Sequence, residues 1–128
     1  ELNLFAIKDF IEVEEYIAHD KLVEVYNSAF AFLYPSIRES FGLPLLEAMA
    51  CGIPVVTSNT SAIPAVADDN VVYIDPTVIK SISEGMLKLE NDPHLFNEIS
   101  VKGLARSKAF NWENTGKQTL AIYESVYL

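Results

Sequence analysis

The chain has 128 residues, half of them apolar, and carries 9 basic against 18 acidic side chains for a net charge of −9. That length can bury the core of one domain or a piece of one. No apolar run approaches the roughly 18 residues of a membrane span, and the acidic balance speaks against a nucleic-acid binder, which shows a basic face. The single cysteine, Cys51, excludes an internal disulfide and a multi-cysteine metal site.

The chain opens on Glu1 without a signal-peptide pattern, and we read it as a fragment of a longer protein. In chain order, Leu2, Phe5, Ala6 and Lys8-Asp9 are compatible with the close of a helix. Ile11 to Ile17 alternates in part and predicts a first strand, with Glu12, Glu14 and Glu15 on a solvated edge or face. Asp20 is placed to cap a short helix over Lys21–Ser28, buried through Leu22, Val25 and Tyr26. Ala29 to Tyr34 is an unbroken apolar run, the pattern of a strand covered on both faces.

Pro35 to Arg38 reads as loop, and a helix from about Pro44 ends at Cys51-Gly52, with Gly52 as its left-handed cap. Pro54 to Thr57 predicts a buried strand, Ala62 to Ala67 a short helix, and Val71 to Ile74 a fourth strand. Asp75-Pro76 and Asp92-Pro93 each combine an N-cap with a proline at the first helical position. They predict helices to about Leu89 and Lys108. Asn111 caps a last helix through Tyr127, on which Trp112, Thr115, Thr119, Leu120, Tyr123 and Tyr127 fall on one face. Strand and helix alternating in this way predict an α/β fold. We expect a partial, Rossmann-like parallel sheet of about four strands, with helices on both faces and a helical C-terminal tail.

The most informative stretch is Glu39-Ser40-Phe41-Gly42-Leu43-Pro44-Leu45-Leu46-Glu47, two carboxylates eight positions apart across a glycine turn that opens a helix. Unpaired N–H groups and the helix dipole make such a turn an anion site. Flanking carboxylates, which only accept hydrogen bonds and have two oxygens, suit vicinal hydroxyls on either side of a phosphate. A nucleotide sugar has that chemistry. Acids near a helix N-terminus also occur with no ligand at all, because negative charge is favoured there.

Tyr26-Asn27-Ser28-Ala29, Tyr34-Pro35-Ser36, the 39–47 block running on through Ala48-Met49-Ala50-Cys51-Gly52-Ile53-Pro54-Val55-Val56, Asp75-Pro76 and Phe110-Asn111-Trp112-Glu113 together carry a resemblance. The chain resembles the C-terminal, donor-binding domain of retaining GT-B glycosyltransferases of family 4, the group 1 glycosyl transferases. The resemblance implies that residues 1–128 are the nucleotide-sugar-binding, Rossmann-like half of such an enzyme. The N-terminal domain and the first strands would lie outside the sequence, and this piece alone would be inactive.

It implies a transferase that moves a sugar from a nucleoside-diphosphate donor to a hydroxyl acceptor. Glu39 would be the catalytic carboxylate, beside the sugar and facing developing oxocarbenium charge. Ser40 and the amides of Phe41, Gly42 and Leu43 would bind the diphosphate, and Glu47 the ribose hydroxyls. Ile17, at the end of the first strand, would border the base, and Arg38 would either contact phosphate or pair locally with Glu39. The acceptor, whether glycan, lipid or protein, would come through the missing N-terminal domain. Neither cofactor nor metal is expected, nor nucleic acid or a transmembrane segment. The expected location is cytoplasmic, with a peripheral place at the membrane open to the full-length protein.

The basic diphosphate clamp usual in the resembled family has no counterpart in residues 1–25, where Lys8 and Lys21 stand in another context. Two rival readings therefore stand beside the first: a nucleotide-sugar epimerase on the same architecture, and a non-catalytic module that binds a nucleotide or a partner protein. Cys51 has no basic neighbour in sequence that would make it a nucleophile. His19 and His94 lack zincin-like spacing and read as surface residues.

Overall fold

The computed structural model describes residues 7–127. Helix α1 (Leu22–Ser28) leads to β1 (Phe32–Tyr34), α2 (Leu43–Ala50), β2 (Val55–Ser58), α3 (Ile63–Ala67) and β3 (Val72–Ile74), followed by α4 (Ile79–Asn91), α5 (Pro93–Ser107) and α6 (Trp112–Tyr127). The strands form one parallel sheet in the order β1-β2-β3, with Phe32 opposite Val55 and Val56 opposite Val72. Successive parallel strands need a crossover, and α2 and α3 supply the two. The fold is the expected α/β, Rossmann-like arrangement, with three strands in place of four.

Strand β2 is central and all four of its residues are buried. Because successive side chains of a strand point to opposite faces, β2 feeds two cores. Val55 packs with Leu45, Met49 and Ile63 on one side, and Val56 with Val72, Ile74, Leu89 and Ile99 on the other. Helix α4 crosses the second face closely enough that a Cβ on Gly85 would lie 2.3 Å from Ile74 Cγ2. Helix α5 packs chiefly on α2, with Gly103 against Met49.

Helix ends follow the sequence signals where a side chain can reach the orphan groups. Gly52, at φ 72°, closes α2: its N–H donates to Met49 O and that of Ile53 to Ala48 O, a Schellman pair. Asp92 Oδ1 accepts from Leu95 N–H at the start of α5, and Asn111 Oδ1 from Asn114 N–H at the start of α6.

Several expectations are corrected. Residues 11–17 form no strand: Val13 and Tyr16 are largely exposed, and the alternation fails at Glu14-Glu15, so no face can be buried. The three glutamates are exposed, as expected. Asp20 does not cap α1. It lies inside a 3-10 turn, His19–Lys21, that continues into the helix, and of the expected buried side Leu22 and Tyr26 are half-buried while Val25 is exposed.

The 29–34 run is not covered on both faces. β1 takes only its last three residues and is a sheet edge, so Phe30 and Leu33 remain exposed. Asp75-Pro76 opens a turn instead of a helix: the Asp75 carboxylate takes the N–H and hydroxyl of Thr77, and α4 begins only at Ile79. The residues of α6 expected on one face bury nothing among the described residues. Cys51, at the end of α2, is half-buried. The reading of Leu2 to Ala6 falls outside the described residues, while Lys8 and Asp9 sit in a 3-10 turn, Lys8–Phe10. No helix among the described residues is long and apolar enough to cross a membrane.

Candidate functional site

The 39–47 block lies where strand β1 hands over to α2, beyond the carboxyl ends of parallel strands, the usual place for ligands in open α/β sheets. Gly42 is the N-cap of α2 at φ 94°, a left-handed conformation that favours glycine. A Cβ there would meet nothing closer than 3.8 Å, so the backbone angle, not space, selects the residue. Gly42 O accepts from the N–H groups of Leu45 and Leu46, and Pro44 has no N–H to orphan. The N–H groups of Phe41, Gly42 and Leu43 have no acceptor among the described residues, so they can take an anion.

Glu39 is fixed twice. Its Oε1 accepts from Tyr34 Oη and, at 3.1 Å, from Ser36 Oγ. Its backbone is held by Ser61, whose hydroxyl donates to Glu39 O at 2.6 Å and faces Glu39 N–H at 3.2 Å. Ser61 adopts φ 60°, a left-handed conformation uncommon for a residue with a Cβ.

The same pattern runs along the whole loop. Thr57 Oγ1 donates to Tyr34 O, Ser58 Oγ to Ser36 O and Thr60 Oγ1 to Ile37 O. Four hydroxyls from the end of β2 and the loop after it thus hold the carbonyls of Tyr34, Ser36, Ile37 and Glu39. Sequence reading missed this ladder. Its signal was the hydroxyl-rich run Thr57-Ser58-Asn59-Thr60-Ser61, which begins at the end of a buried strand and continues past it.

Glu47, on the second turn of α2, accepts from Tyr26 Oη through Oε2 at 3.1 Å. No protein group among the described residues donates to Oε1 of Glu47 or to Oε2 of Glu39. Each motif carboxylate therefore has one tethered and one free oxygen. The tethers also act on the tyrosines: burial first, and then the hydrogen bond to Glu47, push the Tyr26 phenol up to about 12. Burial and the hydrogen bond to Glu39 do the same to Tyr34.

Glu47 borders a largely apolar cleft of about 460 Å³ between the starts of α2 and α6, walled by Phe41, Leu43, Phe110 and Trp112. Phe110 meets Phe41 edge-on at 5.8 Å and lies over the Arg106 guanidinium at 4.9 Å. Glu39 does not border this cleft. The two carboxylates share the loop and helix start, not one cavity.

Of the remaining expected residues, Ser40 is exposed beside the turn, Ile17 is half-buried in an irregular segment, and Arg38 is exposed and makes no ion pair with Glu39. Lys21 pairs with Glu24 on the surface. His19 is exposed, and His94 faces Glu98 from a largely exposed position. No group of three or more metal-ligating side chains gathers among the described residues.

The profile of the family described as glycosyl transferases group 1 matches residues 5–106. The chain belongs to that family. It is 40% identical over 109 residues to O-antigen chain mannosyltransferase B of Escherichia coli, covering 85% of this chain and 29% of that protein. It is 33% identical over 123 residues to alpha-maltose-1-phosphate synthase of Mycolicibacterium smegmatis, covering 89% of this chain and 32% of that protein. Among solved structures, sucrose-phosphate synthase from Thermosynechococcus elongatus superposes with a TM-score of 0.84 at 26% identity, over 96% of this chain and 32% of that one. The chain thus spans about a third of the length of these relatives. Family membership makes it a glycosyltransferase domain in general terms.

Proposed function

We propose that this chain is the donor-binding half of a retaining GT-B glycosyltransferase, which moves a hexosyl unit from a nucleoside-diphosphate sugar to a hydroxyl acceptor. The observation that carries the reading is the pair of half-tethered carboxylates, Glu39 and Glu47, on either side of the free amides that open α2.

In this reading Ser40 and the amides of Phe41, Gly42 and Leu43 hold the diphosphate. The overall charge of −9 gives no long-range attraction for an anion, so binding rests on these local donors. The free oxygen of Glu47 takes ribose hydroxyls and that of Glu39 a sugar hydroxyl. Ile17 borders the base, and Arg38 reaches a phosphate oxygen.

The bond from the anomeric carbon to the phosphate oxygen breaks, its electron pair leaving with the diphosphate. The acceptor oxygen bonds the anomeric carbon from the same face, and its proton passes to the leaving phosphate oxygen. Fixed negative charge at Glu39 stabilises the developing oxocarbenium charge. No covalent protein nucleophile is needed, and the reading calls for neither metal nor cofactor.

A preceding N-terminal domain would bring the acceptor, a glycan, lipid or protein. The place of work would be the cytoplasm or the face of a membrane, in carbohydrate biosynthesis. Two relatives from Escherichia coli are mannosyltransferases by name, one of the O-antigen chain and one serotype-specific, so mannose is the first sugar to test.

The deciding experiment follows nucleoside-diphosphate release by the full-length enzyme with and without acceptor. Release that depends on acceptor supports transfer; release without it supports an epimerase-like enzyme. Glu39→Ala is expected to slow release at least tenfold, about 1.4 kcal/mol in the barrier, and a smaller effect removes Glu39 from the key position. Ligand-observed NMR with UDP, GDP and ADP and their sugars, repeated on Glu47→Ala, reads the nucleotide side separately.

A further inference from the structure

Tyr34 ends β1, the strand that delivers the loop to Glu39. Its ring stacks on Phe32 at 5.5 Å, and its carbonyl accepts from Thr57 Oγ1 at 2.9 Å, so ring and backbone are both anchored to the sheet. From that anchored position its hydroxyl donates to Oε1 of Glu39, the same oxygen that takes Ser36 Oγ. The Glu39 backbone is fixed separately by Ser61 and by Ala62 N–H. With its main chain pinned and one oxygen held by two hydroxyls, the carboxylate cannot turn without breaking both bonds. Only Oε2 is left to accept. A carboxylate held by packed second partners on a rigid element keeps the geometry that a reacting sugar needs.

We propose that Tyr34 is a positioning residue for the donor sugar. It holds one oxygen of Glu39, with Ser36 beside it, so that the other meets a sugar hydroxyl in a single orientation. The inference rests on the assignment of Glu39 to the donor sugar made above. It assigns the Tyr34 hydroxyl to Glu39 and not to the nucleotide: the hydroxyl bonds neither the free amides at the start of α2 nor the Glu47 carboxylate, and the ring edge that lies beside Gly42 is kept when only the hydroxyl is removed. The Tyr34 hydroxyl acts on the sugar-side carboxylate. Its loss is therefore felt in turnover more than in nucleotide binding.

The test is Tyr34→Phe in the full-length chain, a change that keeps the ring stacked on Phe32 and removes only the hydroxyl. GDP-mannose, UDP-glucose and ADP-glucose are the probe donors. The measured quantities are kcat and KM for the donor, Kd for the free nucleoside diphosphate, and Tm. We expect kcat to fall five- to twentyfold, with Kd for the free diphosphate unchanged within twofold. Ser36→Ala, which removes the other donor to the same oxygen and leaves the tyrosine in place, is expected to lower kcat in the same sense. It also serves as the reporter if Tyr34→Phe folds poorly.

A kcat retained within twofold in both variants overturns the proposal. So does a fall in kcat matched by an equal loss of diphosphate affinity, because the hydroxyl would then serve the fold of the loop as a whole. A wild-type chain that binds no nucleoside diphosphate and releases none from these donors overturns the functional reading, and this inference with it. A wild-type chain that transfers, with variants that transfer equally well, overturns the positioning role alone.

Discussion

The phenol of Tyr26 donates to Oε2 of Glu47 at 3.1 Å across 21 positions of chain, joining α1 to the second turn of α2. Short α1 buries no residue of its own, and its Tyr26 ring packs edge-on to Phe32 of the sheet at 5.6 Å. Hydrogen bonds to charged groups contribute on the order of 1.5–3 kcal/mol, and less where water reaches them. Tyr26→Phe is therefore expected to destabilise the fold by about 1 kcal/mol while keeping the ring contact. A urea midpoint that does not move would show that α1 is held by its apolar contacts alone.

Raised phenols make stability depend on alkaline pH. In the unfolded chain both tyrosines ionise near 10, whereas folded Tyr26 and Tyr34 do so only at about 12. Between these values the folded state binds more protons than the unfolded one, so stability falls as pH rises. The contribution is fully present below pH 10 and is lost as pH climbs toward 12. Unfolding curves at pH 8, 10 and 11 should show the decline, and Tyr26→Phe with Tyr34→Phe should reduce it, the half-buried Tyr73 phenol keeping the remainder. Phenolate absorbance should show late titration of Tyr26 and Tyr34, and also of Tyr73, whose phenol burial likewise pushes up.

Two helical glycines should respond oppositely to alanine. At Gly85 a Cβ would sit 2.3 Å from Ile74 Cγ2 and 3.0 Å from Val56 Cγ1, both on buried, β-branched side chains of the sheet. Overpacking of this kind costs about 1–3 kcal/mol, more than the helix-propensity gain of about 1 kcal/mol. Gly116 meets nothing within 4 Å, so there the propensity gain stands alone and Gly116→Ala is expected to stabilise α6. Thermal melts of the two variants should move in opposite directions.

The two Asp-Pro pairs look alike in sequence and act differently. Asp92 accepts from Leu95 N–H as the N-cap of α5, so Asp92→Ala should lower stability by about 1 kcal/mol. Asp75 holds Thr77 in a turn ahead of α4. Asp75→Ala should leave the helix content unchanged by circular dichroism, and a loss of helix signal would show that the turn nucleates α4.

The sequence by itself determined whatever local chemistry can dictate. The glycine at φ 94° before α2, the Schellman close at Gly52, the caps at Asp92 and Asn111 and the buried run of β2 were all legible, because each depends on residues within one or two turns. The carboxylate pair and its glycine turn were legible for the same reason.

Other features depended on partners far along the chain. Only the sheet order shows that β1 is an edge, so that an apolar run from Ala29 to Tyr34 leaves Leu33 exposed. Only the third dimension brings Tyr26 to Glu47 and Ser61 to Glu39, pairs 21 and 22 positions apart. Residues 11–17 had the composition of a strand but no neighbour to pair with among the described residues, and β-structure is a property of pairs, not of single segments. The tertiary structure thus decided which oxygen of each motif carboxylate is tethered and which is free, since that choice belongs to hydroxyls delivered by other elements.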